Sequence, residues 1–133
     1  MNKVMVGVLV ASLWGGVGML GAQESVDIQG EIIDPGLYLR EGLHGPEVEN
    51  RMYDAVDGGQ SLAILEDGTE RVYLLLAGSP GEDPNELVYD FVGRRVRVSG
   101  AMHQRDGVKG VVAATVEPLE ATTSPDTGLP EAE

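Results

Sequence analysis

The sequence predicts a mainly β domain that folds as a small five-stranded barrel, and three observations carry this prediction. Residues 87–118 read LVYDFVGRRVRVSGAMHQRDGVKGVVAATVEP, in which a short helical pattern leads into a basic alternating strand, a turn and an apolar strand. Gly30 interrupts the first strand pattern, where a long barrel strand would bend. Two further strand patterns flank a Gly-containing turn at residues 66–69.

Residues 1–22 predict a cleaved signal peptide. Lys3 is the only charge in this segment, an apolar run begins at Val4, and Gly21-Ala22 supplies small residues for cleavage. The run is short and contains several glycines, which weaken a membrane-spanning helix. We therefore expect the folded domain to begin at residue 23 and the protein to be periplasmic or secreted. Membrane contact is expected only if the segment is retained.

Length and charge restrict what the remaining chain does. About 110 residues form one small domain, and the absence of cysteine leaves burial of apolar side chains to stabilise it. The formal net charge is −13 at pH 7, which repels phosphate backbones at long range. No tryptophan follows residue 22, so the domain has few aromatic side chains on which bases could stack. Nucleic acid is therefore not expected as a partner.

The first half of the domain predicts one strand and one helix. Residues 26–34 alternate apolar and polar side chains, and Asp34-Pro35-Gly36 is interpreted as the end of that strand. Pro46 suits the first position of a helix that ends at Gly58-Gly59. Its apolar positions recur at helical spacing: Val48, Met52, Ala55 and Val56. This is an extra helix between strands 1 and 2.

The second half predicts four strands and a second helix. Strands are predicted at residues 61–65, 71–76, 94–99 and 108–117. Asp83-Pro84-Asn85-Glu86 has the layout of an N-cap, a proline at the first helical position and a capping-box glutamate. A helix over 83–92 would lie between strands 3 and 4.

This order of elements is that of an oligonucleotide/oligosaccharide-binding (OB) barrel, in which a helix lies between strands 3 and 4. We therefore assign residues 23–119 to one OB-type domain. Residues 120–133, EATTSPDTGLPEAE, lack periodicity and are predicted to be a disordered acidic tail.

No group of residues in the sequence has a spacing typical of a catalytic site. The adjacent acids Glu66-Asp67 and Glu82-Asp83 lie in predicted turns, where carboxylates are usually solvated or cap backbone groups. His44 and His103 are the only histidines, and both fall in predicted loops far apart in sequence. We therefore assign no catalytic residue, no metal ligand and no cofactor, and we expect a protein that is not an enzyme. An enzyme that uses a carboxylate pair is the third possibility.

A basic patch is the distinctive feature of the second half. Five of the eight basic residues after residue 22 lie between positions 94 and 109, and the candidate binding residues among them are Arg95, Arg97, Arg105 and Lys109. Arg95 and Arg97 should share one face of their strand, where they suit a carboxylate or another anion. The alternative, which we favour from residue types alone, is pairing with acids on a neighbouring strand, such as Asp27 or Glu31.

Several segments resemble a group of small exported bacterial proteins that are expected to be single OB barrels of largely unknown function. These are GEIIDPGLYLREGLHG, GGQSLAILEDG, VYLLL, PNELV and FVGRRVRVSG, and the resemblance extends over residues 26–119. It implies an OB barrel and export. Many members carry a Cys followed by a His-x-x-Cys-x-x-x-Cys run, which suggests a metal, haem or thiol site. The corresponding positions here are Leu37, Val48, Arg51 and Ala55, so no site residue is carried over.

The sequence therefore predicts a non-catalytic, exported OB-fold binding or accessory module of the cell envelope. Its expected partner is an unknown envelope protein or an anionic small ligand, which would contact the basic patch. The alternative is a membrane-tethered structural protein whose N-terminal anchor is not cleaved.

Overall fold

The computed structural model describes residues 22–119, which form a closed five-stranded barrel. The strands are β1 (Ala22–Ile33), β2 (Ala63–Glu66), β3 (Val72–Leu75), β4 (Arg95–Arg105) and β5 (Val108–Pro118). They follow the order β1-β2-β3-β5-β4, and β4 pairs again with β1. Only the β3–β5 pair is parallel. The predicted mainly β, OB-like barrel is confirmed. The predicted tail, and the predicted signal peptide as far as residue 21, lie outside the described residues.

The bend predicted at Gly30 is where β1 changes partner. Before Gly30, β1 pairs with β4 alone; Gly30 and Glu31 pair with both β4 and β2, and the last two residues of β1 pair with β2 alone. A side chain at this position would overlap the carbonyl oxygen of Leu65. Only glycine therefore lets the two backbones approach this closely.

Two α-helices lie between β1 and β2, one more than predicted. The expected helix is confirmed as a short 3₁₀ helix, Pro46–Val48, that continues into α2 (Glu49–Asp57). An additional helix, Pro35–Glu41, precedes it and is α1. The Asp34 carboxylate accepts a hydrogen bond from the backbone N–H of Leu37 at 2.8 Å. Asp34-Pro35 therefore caps and begins a helix, as well as ending the strand.

The prediction of a helix over 83–92 is wrong. Between β3 and β4 the described chain forms turns and a 3₁₀ helix, Tyr89–Phe91. The backbone hydrogen bonds of this segment join residues three apart, as in a 3₁₀ helix. Val88 donates to the carbonyl of Asn85 at 3.0 Å, and Phe91 donates to the carbonyl of Val88 at 2.9 Å. The Asp83 carboxylate accepts from the N–H of Asn85 at 2.9 Å, which favours a turn over a regular helix.

The barrel core is closed at one end by α2 and by the segment that precedes β4. Met52 of α2 is fully buried, and Val56 is nearly so. They belong to the same apolar cluster as Val88 and Val92. Fully burying an aliphatic side chain of this size contributes about 1.5–3 kcal/mol, so these four residues stabilise the closed end substantially.

Candidate functional site

The four candidate binding residues fall into two groups at opposite ends of β4. Arg95 begins the strand and Arg97 follows closely, whereas Arg105 ends it. Lys109 lies opposite Gln104 on β5, beside the same end. Because a strand rises about 3.3 Å per residue, Arg95 and Arg105 lie about 30 Å apart along β4. The four side chains therefore do not form one patch.

Arg95 and Arg97 are both paired with acidic residues. Arg95 forms an ion pair with Asp67 in the turn between β2 and β3. The hydrogen bond that Arg95 donates to the Asp67 carboxylate is the main reason that the pKa of the Arg95 guanidinium is raised above its usual value. Arg97 lies 3.6 Å from an Asp27 carboxylate oxygen on β1 and 3.9 Å from one of Glu117 on β5. The sheet itself thus supplies acids for this first pair of arginines.

Glu31, the other acid expected near the arginines, contacts a histidine instead. One carboxylate oxygen of Glu31 lies 2.8 Å from Nδ1 of His44, in the loop after α1. The His44 ring also packs edge-on against Tyr38 of α1, with centroids 5.6 Å apart. These contacts hold the loop against β1. Within residues 22–119, no group of three or more His, Cys, Asp or Glu side chains is arranged to hold a metal ion.

Arg105 and Lys109 line a cleft of about 220 Å³ at the β4–β5 hairpin, which we call the hairpin cleft. Its other lining residues are Leu74, Leu76, His103, Gln104, Val108 and Gly110. None of the lining residues is acidic. Within residues 22–119, neither Arg105 nor Lys109 forms an ion pair. The positive charge in this cleft is therefore available to a partner.

The hairpin cleft forms because β3 covers only part of β5. The two strands pair only at Gly110 and Val111, so the start of β5 beside the hairpin turn is not paired with β3. Gly110 contributes no side chain, and Leu76 lies directly over it: a Cβ at position 110 would be 2.6 Å from Cδ1 of Leu76. Val108, at the start of β5, is 59 % exposed. Leu74, Leu76 and Val108 thus line the cleft together with Arg105, and Lys109 follows Val108 on the neighbouring strand of the hairpin.

This arrangement suits the binding of an acidic group that is attached to a larger molecule. A guanidinium binds a carboxylate in a bidentate manner, and an ammonium adds a second positive charge. Sites that enclose a small ligand usually measure about 300–1,000 Å³, and the hairpin cleft is smaller. It therefore suits a single acidic group better than an enclosed small ligand.

Sequence reasoning identified the two cations of the hairpin cleft but missed its apolar wall. His103 was expected in a loop, and this is wrong, because it lies in β4 opposite Gly110. Leu74 and Leu76 come from β3 and the residue that follows it, which lie far from the hairpin in sequence but beside β5 in the barrel. Alternation along β3 places Leu74 on the face opposite Tyr73 and Leu75. This alternation is the sequence signal that indicates an outward-facing Leu74.

The positions that correspond to the Cys/His motif of the resembling proteins hold packing and surface residues. Leu37 is buried in the core, and Val48 packs against the core. Arg51 forms an ion pair with Glu41 at 3.1 Å. These side chains join α1 and α2 to the barrel and supply no thiolate.

Comparison of the chain with protein-family models, with curated proteins and with solved structures found no match. The fold and the geometry of the clefts are therefore the basis for a functional proposal. In the part of the chain that the structure describes, no helix is long and apolar enough to span a membrane.

Proposed function

We propose that this protein is a non-catalytic, exported binding module of the cell envelope, and that its hairpin cleft anchors an acidic group of a partner protein. One observation carries the proposal: among residues 22–119, Arg105 and Lys109 form no ion pair and line a cleft with no acidic lining residue, in a chain of net charge −13. Export is supported by the residues of the N-terminal segment, with Lys3 followed by an apolar run.

The two groups of basic residues differ in what a partner would gain from them. An acid that approaches Arg95 or Arg97 competes with the acidic residues already beside them. At Arg105 and Lys109 it meets no such competitor among the lining residues. We therefore assign the contact to Arg105 and Lys109 rather than to all four basic residues.

The apolar part of the hairpin cleft favours a protein partner over a free anion. Leu74, Leu76 and Val108 lie beside the cations, and Val108 is more than half exposed. Residues that dominate protein interfaces combine apolar burial with charged or polar contacts in this way.

Affinity capture from envelope extracts tests the proposal with two matched double variants. R105E/K109E reverses the charge of the hairpin cleft, and R95E/R97E reverses that of the paired arginines. We expect the first variant to lose the protein that the wild type captures and the second to retain it, while both keep a melting temperature near that of the wild type. Equal capture by R105E/K109E, loss with R95E/R97E alone, or no specific capture by the wild type contradicts the proposal.

A further inference from the structure

We infer that the hairpin cleft is one end of a longer groove that binds an extended segment of a partner protein, with an acidic residue at the hairpin end and a basic residue at the other. This inference rests on the proposed function, and it adds the chemistry of the partner. The groove continues across Leu76 into a second cleft of about 350 Å³, which we call the loop cleft.

The loop cleft lies between β5 and the chain that leads from β3 to β4. It is lined by Leu76, Ala77, Gly78, Glu82, Asp83, Pro84, Glu86, Leu87, Val112 and Ala113. Leu76 lines both clefts, and β5 contributes Gly110 to one and Val112 to the other. The two clefts are therefore neighbours along β5.

The two clefts carry opposite charges. The hairpin cleft has Arg105 and Lys109, whereas the loop cleft has three carboxylates and no cation among its lining residues. The Glu82 carboxylate accepts hydrogen bonds from the backbone N–H groups of Gly78 and Ser79 at 3.1 and 3.2 Å, which hold it in place. Glu86 forms no ion pair within residues 22–119. A ligand of a single charge sign would be attracted at one end and repelled at the other.

Exposed apolar side chains mark both clefts. Four large apolar residues of the described chain are clearly exposed, and two of them line this groove. Val108 lies in the hairpin cleft and is 59 % exposed, and Leu87 lies in the loop cleft and is 47 % exposed. A partner segment that covers the groove would bury both side chains.

The length of the groove fits a short extended segment. Val108 and Ala113 are separated along β5 by about 17 Å, because a strand rises about 3.4 Å per residue. An extended peptide of about six residues covers this distance. Its central residues would contact Leu76, and its terminal charges would lie near Lys109 and Glu86.

Two occupants from the chain itself fit less well. Residues 120–133 contain four acidic and no basic residues, so they cannot satisfy the acidic loop cleft. A second copy carries the same net charge of −13, and the two copies repel each other at long range. A segment with both charges on a different protein matches both ends of the groove.

Nuclear magnetic resonance titration of the exported, ¹⁵N-labelled full chain tests this inference with two capped peptides. One reads Glu-Thr-Val-Val-Thr-Lys, and the other, Thr-Val-Glu-Lys-Val-Thr, has the same composition with both charges at its centre. We expect the first peptide to shift the amide signals of Leu76, Lys109 and Val112, and the second to bind at least about tenfold more weakly, since its adjacent charges cannot reach both clefts. Equal binding of both peptides, or no shift with either, overturns the inference.

Matched neutral variants separate this inference from the proposed function. E82Q/E86Q neutralises the loop cleft and keeps the size of both side chains, whereas R105Q/K109Q does the same at the hairpin cleft. We expect each variant to weaken binding of the peptide with separated charges by about threefold to tenfold and to reduce its advantage over the other peptide. If E82Q/E86Q has no effect while R105Q/K109Q weakens binding, the inference of a continuous groove is overturned. The proposed binding of an acidic group at the hairpin cleft is then retained. If concentration-dependent association shifts the same signals without peptide, a second copy is the occupant and the inference is overturned.

Discussion

Asn85 accepts a hydrogen bond from the backbone N–H of Leu62 at 2.8 Å and donates one to the backbone carbonyl of Gln60 at 3.0 Å. Asn85 and Leu62 are both buried. The two bonds fasten the chain before β4 to the chain that enters β2. An asparagine that looked like an early helix residue is thus used as a contact between distant segments.

The Asn85 contact predicts a large effect of a small substitution. N85A removes both bonds and leaves the buried N–H of Leu62 without a partner, which should lower the free energy of unfolding by about 1–3 kcal/mol. Urea denaturation measures the change. N50A is the matched control, because Asn50 is exposed on α2, and its loss should change stability by less than about 0.5 kcal/mol. Equal stability of the two variants would show that the Asn85 contact is not formed.

The closure of the barrel by α2 predicts that Met52 is essential to stability. M52A creates a cavity at a fully buried position and should lower the free energy of unfolding by about 2–5 kcal/mol. L39A is the control, since Leu39 on α1 is 75 % exposed and should tolerate the change. A thermal melt of M52A that matches the melt of L39A would contradict the packing of α2 in the core.

The partner change of β1 predicts that Gly30 does not tolerate a side chain. G30A forces the backbones of β1 and β2 apart and should lower the free energy of unfolding by about 1–3 kcal/mol. Gly36 offers a control within α1, where an added Cβ would be 3.3 Å from the movable guanidinium of Arg40. G36A should be neutral or stabilising by up to about 1 kcal/mol, because alanine favours helices. Chemical denaturation of both variants gives the comparison, and an unaltered G30A would exclude the close approach of the two backbones.

The contact between α2 and the chain before β4 predicts a dependence of stability on alkaline pH. The Tyr89 hydroxyl donates to Asp57 at 2.7 Å, and this hydrogen bond raises the pKa of Tyr89 above 10.0. Burial is the main reason that the pKa of Tyr53 is also raised. Because the pKa of Tyr89 is higher in the folded state than in the unfolded state, its hydrogen bond with Asp57 stabilises the fold fully below pH 10. This stabilisation is lost as the pH rises through the folded-state pKa of Tyr89.

Denaturation of the wild type and Y89F at increasing pH tests the direction of this pH dependence. The difference in unfolding free energy between wild type and Y89F should be constant up to about pH 9 and should shrink above pH 10. D57N should lower the pKa of Tyr89, which a titration of tyrosinate absorbance detects. A difference that stays constant through the tyrosine titration would contradict the contact between Tyr89 and Asp57.

Patterns of neighbouring residues correctly predicted the strands and the helix whose formation depends on those residues. The alternation in β4 and β5 and the helical spacing around Met52 follow from neighbouring residues, and the structure confirms these strands and this helix. Gly30 lies within the continuous strand β1, at the position where pairing with β2 begins. The helix over 83–92 was predicted wrongly because the decisive contact, between Asn85 and Leu62, joins residues far apart in sequence. The short helix α1 was missed because Asp34-Pro35 serves as both a strand end and a helix cap.

The site was predictable only in its charges. The sequence shows that Arg95, Arg97, Arg105 and Lys109 are close in the chain, but their separation depends on the full length of β4. The pairing of Arg95 with Asp67 requires closure of the barrel, which brings the β2–β3 turn to the start of β4. No local pattern contains that information, nor the partial cover of β5 by β3 that opens the hairpin cleft.

Site-specific photo-crosslinking in intact cells tests most directly whether the hairpin cleft is the partner surface. A photoreactive phenylalanine analogue is placed at Val108 in one sample and at Leu39 in another, since both side chains are apolar and well exposed. We predict a covalent adduct with an envelope protein at Val108, its loss when R105E/K109E is added, and none at Leu39. An adduct at Leu39 but not at Val108, or one at Val108 that survives R105E/K109E, would contradict the account.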